Sequence, residues 1–326
     1  MLRTVTLGPT TVDIESTDGD RYLEHFHDSQ LTTLRAVAAQ CVDESSTVVD
    51  IGANIGLTAI ALAQLVPRGR VLAVEANPTL AALLDRNVER AGVRDIVTVA
   101  SIALGETAGR AVFFANPDDP SGAFLADVAP TAVTTAHEPD VVVPVTTLDA
   151  LLAEHAIDTI DFVKLDVEGA ELRVLHGAAE TLKRAQPTVQ TEFNLFTLTS
   201  FGRVLPLDFV SELFDVFPLV YVAHADGRVA SLGRDQSYEL VHDTYRDGAL
   251  VELVGAFRAL ESRAPWRPGT SEHRIRRDAL EHEVVTLRGE LADVQASTSW
   301  RVTRPLRAVS DALQKLSARG AARDRR

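Results

Sequence analysis

Short apolar runs that end in an acid recur along this chain: Val48-Val49-Asp50, Val71-Leu72-Ala73-Val74-Glu75 and Phe162-Val163-Lys164-Leu165-Asp166. Runs of this length bounded by turn residues suit buried strands, and the segments between them carry the wider apolar spacing of helices. The pattern predicts strand Val48–Ile51, helix Leu57–Leu65, strand Val71–Glu75, helix Leu80–Ala91 opened by Pro78, and strand Ile96–Ala100. A hairpin-like excursion follows (Ala111–Ala115, loop Asn116–Gly122, Val141–Val145), then helix Leu148–His155 and strand Ile160–Leu165. Helix Ala170–Arg184, strand Thr188–Glu192 and helix Asp208–Phe214 come next, and Leu219–Ala223 pairs with Val229–Leu232 around Asp226-Gly227. Strands alternating with helices imply an α/β fold, a mostly parallel sheet with helices on both faces. The last pair would add an antiparallel edge hairpin.

Three segments are expected. Residues 1–46 read as an N-terminal cap, with a β region over Val5–Ile14 and a helix around Gln30–Cys41. The α/β core spans 47–262. The texture changes in 263–326, where Pro265-Trp266-Arg267-Pro268-Gly269 reads as a linker into a C-terminal helical extension. Leu280, Val284, Leu287, Leu291 and Val294 follow the a/d spacing of a short coiled coil, which would either dimerise through 280–294 or pack back on the core. After Trp300, the residues Val302, Leu306, Val309, Leu313 and Leu316 share a face framed by Arg307, Lys315 and Arg319. That basic amphipathic face suits either peripheral contact with an anionic membrane or a solvated or packing helix.

Charge separates body from tail. Net charge is −14, yet residues 301–326 hold eight Arg or Lys against Asp311 and Asp324, leaving −20 for the rest. So acidic a body repels phosphate backbones and argues against a nucleic-acid partner. No secretory h-region or spanning run of about 18 apolar residues is present, and the lone Cys41 cannot form an internal disulfide. A cytoplasmic protein is expected, with the tail admitting a place at the inner face of the membrane.

The turn Asp50-Ile51-Gly52-Ala53-Asn54-Ile55-Gly56 carries the first candidate chemistry. Gly52 and Gly56 permit a sharp turn and close backbone approach to a ligand, and Glu75, about twenty residues on, suits a ribose diol. Asp50 beside the turn disfavours a pyrophosphate and favours a cationic, phosphate-free nucleoside such as S-adenosylmethionine. A nicotinamide site would need Gly at 54 and 57, where this chain has Asn54 and Leu57. The second constellation is Asp161-Phe162-Val163-Lys164-Leu165-Asp166-Val167-Glu168-Gly169-Ala170-Glu171. It puts Asp166 at the tip of a central strand and Glu168 on the loop opening a helix. Glu171, in the first helical turn, is explained by the helix dipole.

Together with Val74-Glu75-Ala76-Asn77-Pro78, Thr147-Leu148-Asp149, His176-Gly177-Ala178 and Gln190-Thr191-Glu192, these blocks resemble the FkbM family of S-adenosylmethionine-dependent O-methyltransferases over about residues 45–225. Ala76 departs from the proline common after the acid. The resemblance implies a Rossmann-like methyltransferase fold with a seven-stranded sheet. It places Asp50, Gly52, Asn54, Gly56, Glu75 and Asn77 around the cofactor, with Ser101 to Ala103 bordering the adenine. Ser299-Trp300-Arg301-Val302-Thr303-Arg304-Pro305-Leu306-Arg307 is similar to the C-terminal ending of many bacterial surface-glycan assembly enzymes, which shifts the expected acceptor toward a sugar hydroxyl of a glycan or glycolipid precursor. A small secondary metabolite as acceptor, a non-catalytic assembly subunit and, more weakly, a nicotinamide oxidoreductase are the alternatives.

Methyl transfer to a hydroxyl requires removal of its proton, and Asp166, Glu168, Glu192 and Lys164 are the local candidates. Adjacent acids oppose neutralising Lys164, so ion pairing suits it better. Asp166 and Glu192, with Asn194 nearby, offer hard oxygen ligands to Mg²⁺ if a metal takes part. Histidines 25, 27 and 224 are read as structural.

Overall fold

The computed structural model describes residues 1–17, 23, 28–116, 119–126, 139–248 and 251–268. The chain divides into two compact units, 1–271 and 272–326. The second unit lies outside the described residues, and so do the predicted coiled coil, the basic tail, His25 and His27.

Strands β1 (Leu2–Leu7) and β2 (Thr10–Glu15) form an antiparallel hairpin, and α1 (Asp28–Ala38) follows. Leu7, Ile14, Leu34 and Val37 are buried with Leu57, Ile60 and Val71, so the cap packs into the core of the α/β unit. The core strands are β3 (Thr47–Ile51), β4 (Arg70–Val74), β5 (Val97–Ala100), β10 (Phe162–Leu165), β11 (Thr188–Phe193), β12 (Leu219–Ala223), β13 (Val229–Leu232), β14 (Val251–Ala256) and β15 (Ser262–Pro265). Their order across the sheet is β15-β13-β12-β14-β11-β10-β3-β4-β5.

From β3 the chain moves outward through β4 and β5, then returns to β10 on the other side of β3. The carboxyl ends of β3 and β10 therefore flank the switch point, where open α/β sheets bind ligands. The helices serving this half are α2 (Leu57–Ala63), α3 (Pro78–Arg90) and α4 (Leu148–Glu154). Asn77 caps α3, its Oδ1 accepting from Thr79 N at 2.9 Å, and Pro78 opens the first turn.

Several expectations need correction. The sheet has nine strands, not seven. The Asp226-Gly227 hairpin is not its edge, because β15 pairs in parallel with β13 outside it. Trp266, read as linker, is buried in the core, and its carbonyl accepts from Gln236 Nε2 at 3.0 Å.

The 111–145 excursion is more than a hairpin. Strands β7 (Gly109–Asn116), β8 (Asp119–Ala126) and β9 (Pro139–Thr146) join β6 (Ala103–Leu104) in a separate four-stranded sheet. The single helix expected over Ala170–Arg184 is two, α5 (Glu171–His176) and α6 (Ala179–Ala185). The break falls at Gly177, where an added Cβ would meet the Gly105 carbonyl oxygen at 2.1 Å. Helices α7 (Pro206–Val216) and α8 (Ser237–Asp247) complete the unit. The pattern of apolar residues did not single out α8, β14 or β15. No helix among the described residues is long and apolar enough to cross a membrane.

Candidate active site

Two loops meet at the switch point. The turn after β3 passes so close to the loop after β10 that a Cβ on Gly52, whose φ is +78°, would overlap the Asp166 carbonyl oxygen at 1.7 Å. Gly56, at φ +100°, is similarly restricted by Leu84 Cδ1 at 2.5 Å. Asn54 sits at φ +50°, a left-handed conformation that Asn tolerates better than most residues. Gly52 N and Ala53 N both donate to the Val74 carbonyl, at 2.9 and 3.0 Å, which stitches the turn to the end of β4.

Glu75, directly after β4, is buried, and both its oxygens are held by backbone: Asn54 N donates to Oε2 at 2.9 Å and Asn77 N to Oε1 at 2.7 Å. Burial pushes its pKa up, and those two N–H bonds act against the shift. Its carboxyl thus ties the turn after β3 to the start of α3. Asn77 contributes its backbone N–H here, while its side chain is occupied in capping the helix. Ser101 is exposed just past β5, and Ala103 is buried in β6 beside Ala76.

Asp50 is fully buried, and burial raises its pKa. Thr58 Oγ1 donates to its Oδ2 at 2.6 Å, while Oδ1 has no hydrogen-bond partner. Lys164, its register partner on β10, reaches Asp50 Oδ1 at 3.7 Å and Asp166 Oδ2 at 3.2 Å, and donates to the Gly52 carbonyl at 3.0 Å. The ammonium therefore joins both loops, which is the ion-pairing role expected of it. Asn54 Oδ1 is a second buried acceptor without a partner. Asn54 Oδ1 suits a ligand with an N–H or O–H donor, and two acids sharing one lysine suit a ligand carrying positive charge.

Farther along the same edge the site is acidic. Gln190 lies next to Lys164 across the sheet, and Glu192 is in register with Glu252 of the antiparallel β14. Gln190 Nε2 reaches Glu252 Oε2 at 3.4 Å. Glu192 is raised well above the usual carboxylate range, by burial first and then by Asp166, Glu168, Glu252 and Glu171. Glu252 is pushed up to about 7, by burial and then by Asp166. Among the described residues neither forms an ion pair.

Glu171 is not merely a residue favoured by the helix dipole. It is 2% exposed, and its Oε1 accepts from Val167 N at 3.2 Å and Gly169 N at 3.1 Å, which shapes the loop after Asp166. Glu168, at φ +52°, and Gly169, at φ +98°, complete that loop. Asn194, proposed beside a metal, is engaged elsewhere: its Oδ1 accepts from Phe196 N at 3.1 Å and Thr197 N at 3.4 Å. No three carboxylates, histidines or cysteines among the described residues are arranged to hold a metal ion.

The structure thus brings Asp50, Gly52, Asn54, Gly56, Glu75, Lys164, Asp166, Glu168 and Glu192 to one edge of the sheet. Sequence reasoning missed Glu252 there and assigned Glu171 no part in the loop.

A sequence model of the family described as Methyltransferase FkbM domain matches residues 50–220. The chain is 30% identical over 156 residues to the methyltransferase sdnD of Sordaria araneosa, covering 41% of this chain and 60% of that protein. It therefore spans less than two thirds of that relative's length. It is also 28% identical over 201 residues to the 2-O-methyltransferase NoeI of Sinorhizobium fredii, covering 59% of this chain and 80% of NoeI. Among solved structures, an O-methyltransferase from Bacillus cereus in complex with SAH aligns with 14% identity and a TM-score of 0.39, over 71% of this chain and 82% of the other.

Proposed function

The chain belongs to the FkbM methyltransferase family, and from that premise we propose that it transfers the methyl group of S-adenosylmethionine to a hydroxyl oxygen, the acceptor being a sugar of a surface-glycan or glycolipid precursor. The observation that carries the cofactor half is a glycine turn locked to Glu75 that bears the unpartnered Asn54 Oδ1 beside Asp50, an acid that shares its one lysine with Asp166. These groups fit a nucleoside with positive charge and no phosphate. Gly52, Asn54 and Gly56 would line it, Glu75 would face the ribose, and Ser101 to Ala103 would border the base. The likeness to NoeI, a 2-O-methyltransferase, supports oxygen as the methylated atom.

Bound there, S-adenosylmethionine supplies an electrophilic methyl group on a sulfonium. Lys164 holds the Gly52 carbonyl and pairs with both Asp50 and Asp166, which fixes both loops before the acceptor arrives. Asp166, Glu168 and Glu192 would orient the acceptor hydroxyl and take its proton. Metal assistance forms no part of the proposal.

Calorimetry with S-adenosylhomocysteine tests the cofactor half. Wild type should bind and Glu75→Ala should bind far more weakly; equal binding by both, or none by wild type, defeats it. Transfer of labelled methyl to a panel of methyl hexopyranosides tests the acceptor half.

A further inference from the structure

The segment that leaves β11 is shaped in an unusual way. A helical turn, Leu195–Thr197, runs into a π-helix, Leu198–Gly202, of a kind that concentrates at functional sites. The turn is seated on the catalytic loop, because Gly169 and Gly202 pack backbone to backbone. A Cβ on Gly202 would meet the Gly169 oxygen at 2.2 Å, and one on Gly169 would meet the Thr197 oxygen at 2.5 Å. Gly169 is three residues from Asp166, so this turn borders the acidic edge. It carries Phe196, 58% exposed, edge-to-face with Phe201 at a centroid distance of 5.3 Å. The Phe196 ring is thus held on a firmly seated segment with much of its surface open to a ligand.

The end of β11 that leads into this turn is polar. Glu192 and Glu252 face each other across β11 and β14. Beneath them Gln190, 2% exposed, donates to Glu252 but leaves Oε1 without a partner. The bare amide oxygen of Gln190 beside a carboxylate pair calls for a ligand with O–H donors.

We infer that Phe196, backed by Phe201, and the Glu192–Glu252–Gln190 wall together form the acceptor subsite, and that it takes an uncharged hydroxyl-bearing ring. A pyranose is amphipathic in the required sense. Its C–H face is apolar and weakly positive, matching the negative face of an aromatic ring, while its rim of hydroxyls donates to carboxylate and amide oxygens. Asp166 and Glu168, joined by Glu252 above about pH 7, repel a carboxylate- or phosphate-bearing ring at the opening. This assignment rests on the proposed methyltransferase reading and narrows its acceptor to neutral sugars.

The test uses the full chain and methyl β-glucopyranoside as probe, with methyl glucuronide as its anionic counterpart. Saturation-transfer NMR should show the neutral glycoside bound with its C–H face nearest protein. Phe196→Ala should weaken that binding, and raise KM where the glycoside is methylated, by about tenfold, with Phe196→Trp restoring it. At about pH 8, where Glu252 is ionised, the glucuronide should bind more weakly than the neutral probe, and Glu252→Gln should narrow the gap. S-adenosylhomocysteine affinity should be unchanged in all three variants. No contact by the neutral glycoside, an unchanged Phe196→Ala, or equal binding of the glucuronide each overturns the assignment. Loss of S-adenosylhomocysteine binding in wild type would instead defeat the methyltransferase reading, with the glycoside contact still reporting on this subsite.

Discussion

Gly52 lies against the backbone carbonyl of Asp166 so closely that no side chain fits between them: an added Cβ would sit 1.7 Å from that oxygen. The loops after β3 and β10 therefore meet backbone to backbone. Gly52→Ala adds the Cβ at φ +78° and forces the loops apart, and it is expected to cost roughly 3–5 kcal/mol and abolish S-adenosylhomocysteine binding. Gly92 is the internal control. Its φ is +67° but nothing lies within 4 Å of its would-be Cβ, so Gly92→Ala should cost only about 1–2 kcal/mol and leave binding intact. Urea melts of the two variants separate close approach from backbone strain; equal losses would refute the distinction.

Lys164 links the same loops through charge. Lys164→Met leaves Asp50 fully buried without its cation, at an expected cost of about 3 kcal/mol near neutral pH. The sign of the pH dependence follows from Asp50, whose carboxyl burial already raises and whose largest opposing influence is Lys164. Removing the lysine raises it further, and below that raised value the acid is neutral and the penalty disappears. The deficit relative to wild type should therefore be smaller at pH 5 than at pH 8. A deficit that is constant with pH would mean that Lys164 acts through packing alone.

Glu171 gives a separate pH signature. Burial pushes it from the ordinary 4.5 up to about 7, so the folded state holds its proton where the unfolded chain has released it. Its contribution to stability is complete below 4.5 and is lost as pH rises toward 7, on the order of 2–3 kcal/mol over that window. Glu171→Gln keeps an oxygen for the Val167 and Gly169 N–H groups but cannot ionise. The variant should show a flatter stability profile between these pH values and gain on wild type above them. Parallel profiles would place the wild-type slope on other groups.

What could be read before folding, and what could not, divides along strand direction. Asp50, Glu75 and Asp166 each follow an apolar run on a parallel strand, so the end of the run is also the ligand edge of the sheet. Glu252 stands near the start of its strand, in Val251-Glu252-Leu253, where an acid among apolar residues looks like ordinary alternation. It reaches the site because β14 runs antiparallel between β11 and β12, so that its beginning lies at the edge where β10 and β11 end. No local spacing encodes that insertion. Glu171 misled for the opposite reason, since a helix-start acid has a sufficient local explanation that hides its bonds to the preceding loop. The turn at Phe196 was invisible because its exposure and its seat on Gly169 are tertiary facts.

The last expectation concerns where the α/β unit ends. The sequence places the boundary near 262, on the strength of Pro265 and the residues after it. In the fold, Ser231, Ala230 and Val229 of β13 pair with 262–265, Trp266 N donates to the Ser231 carbonyl at 2.7 Å, and the Trp266 ring is buried in the core. A chain cut after 261 loses that strand and exposes the apolar surface the indole covers, which for a ring of this size costs about 2–3 kcal/mol before the strand pairing is counted. A chain cut after Ser271 keeps both. The longer truncation product should melt like the full chain and bind S-adenosylhomocysteine equally well, losing only whatever liposome association or dimerisation the full chain shows. The shorter product should melt at lower urea and be more easily proteolysed. Equal stability of the two products would show that β15 and Trp266 are dispensable to the unit, and would return its boundary to the place the sequence alone gives.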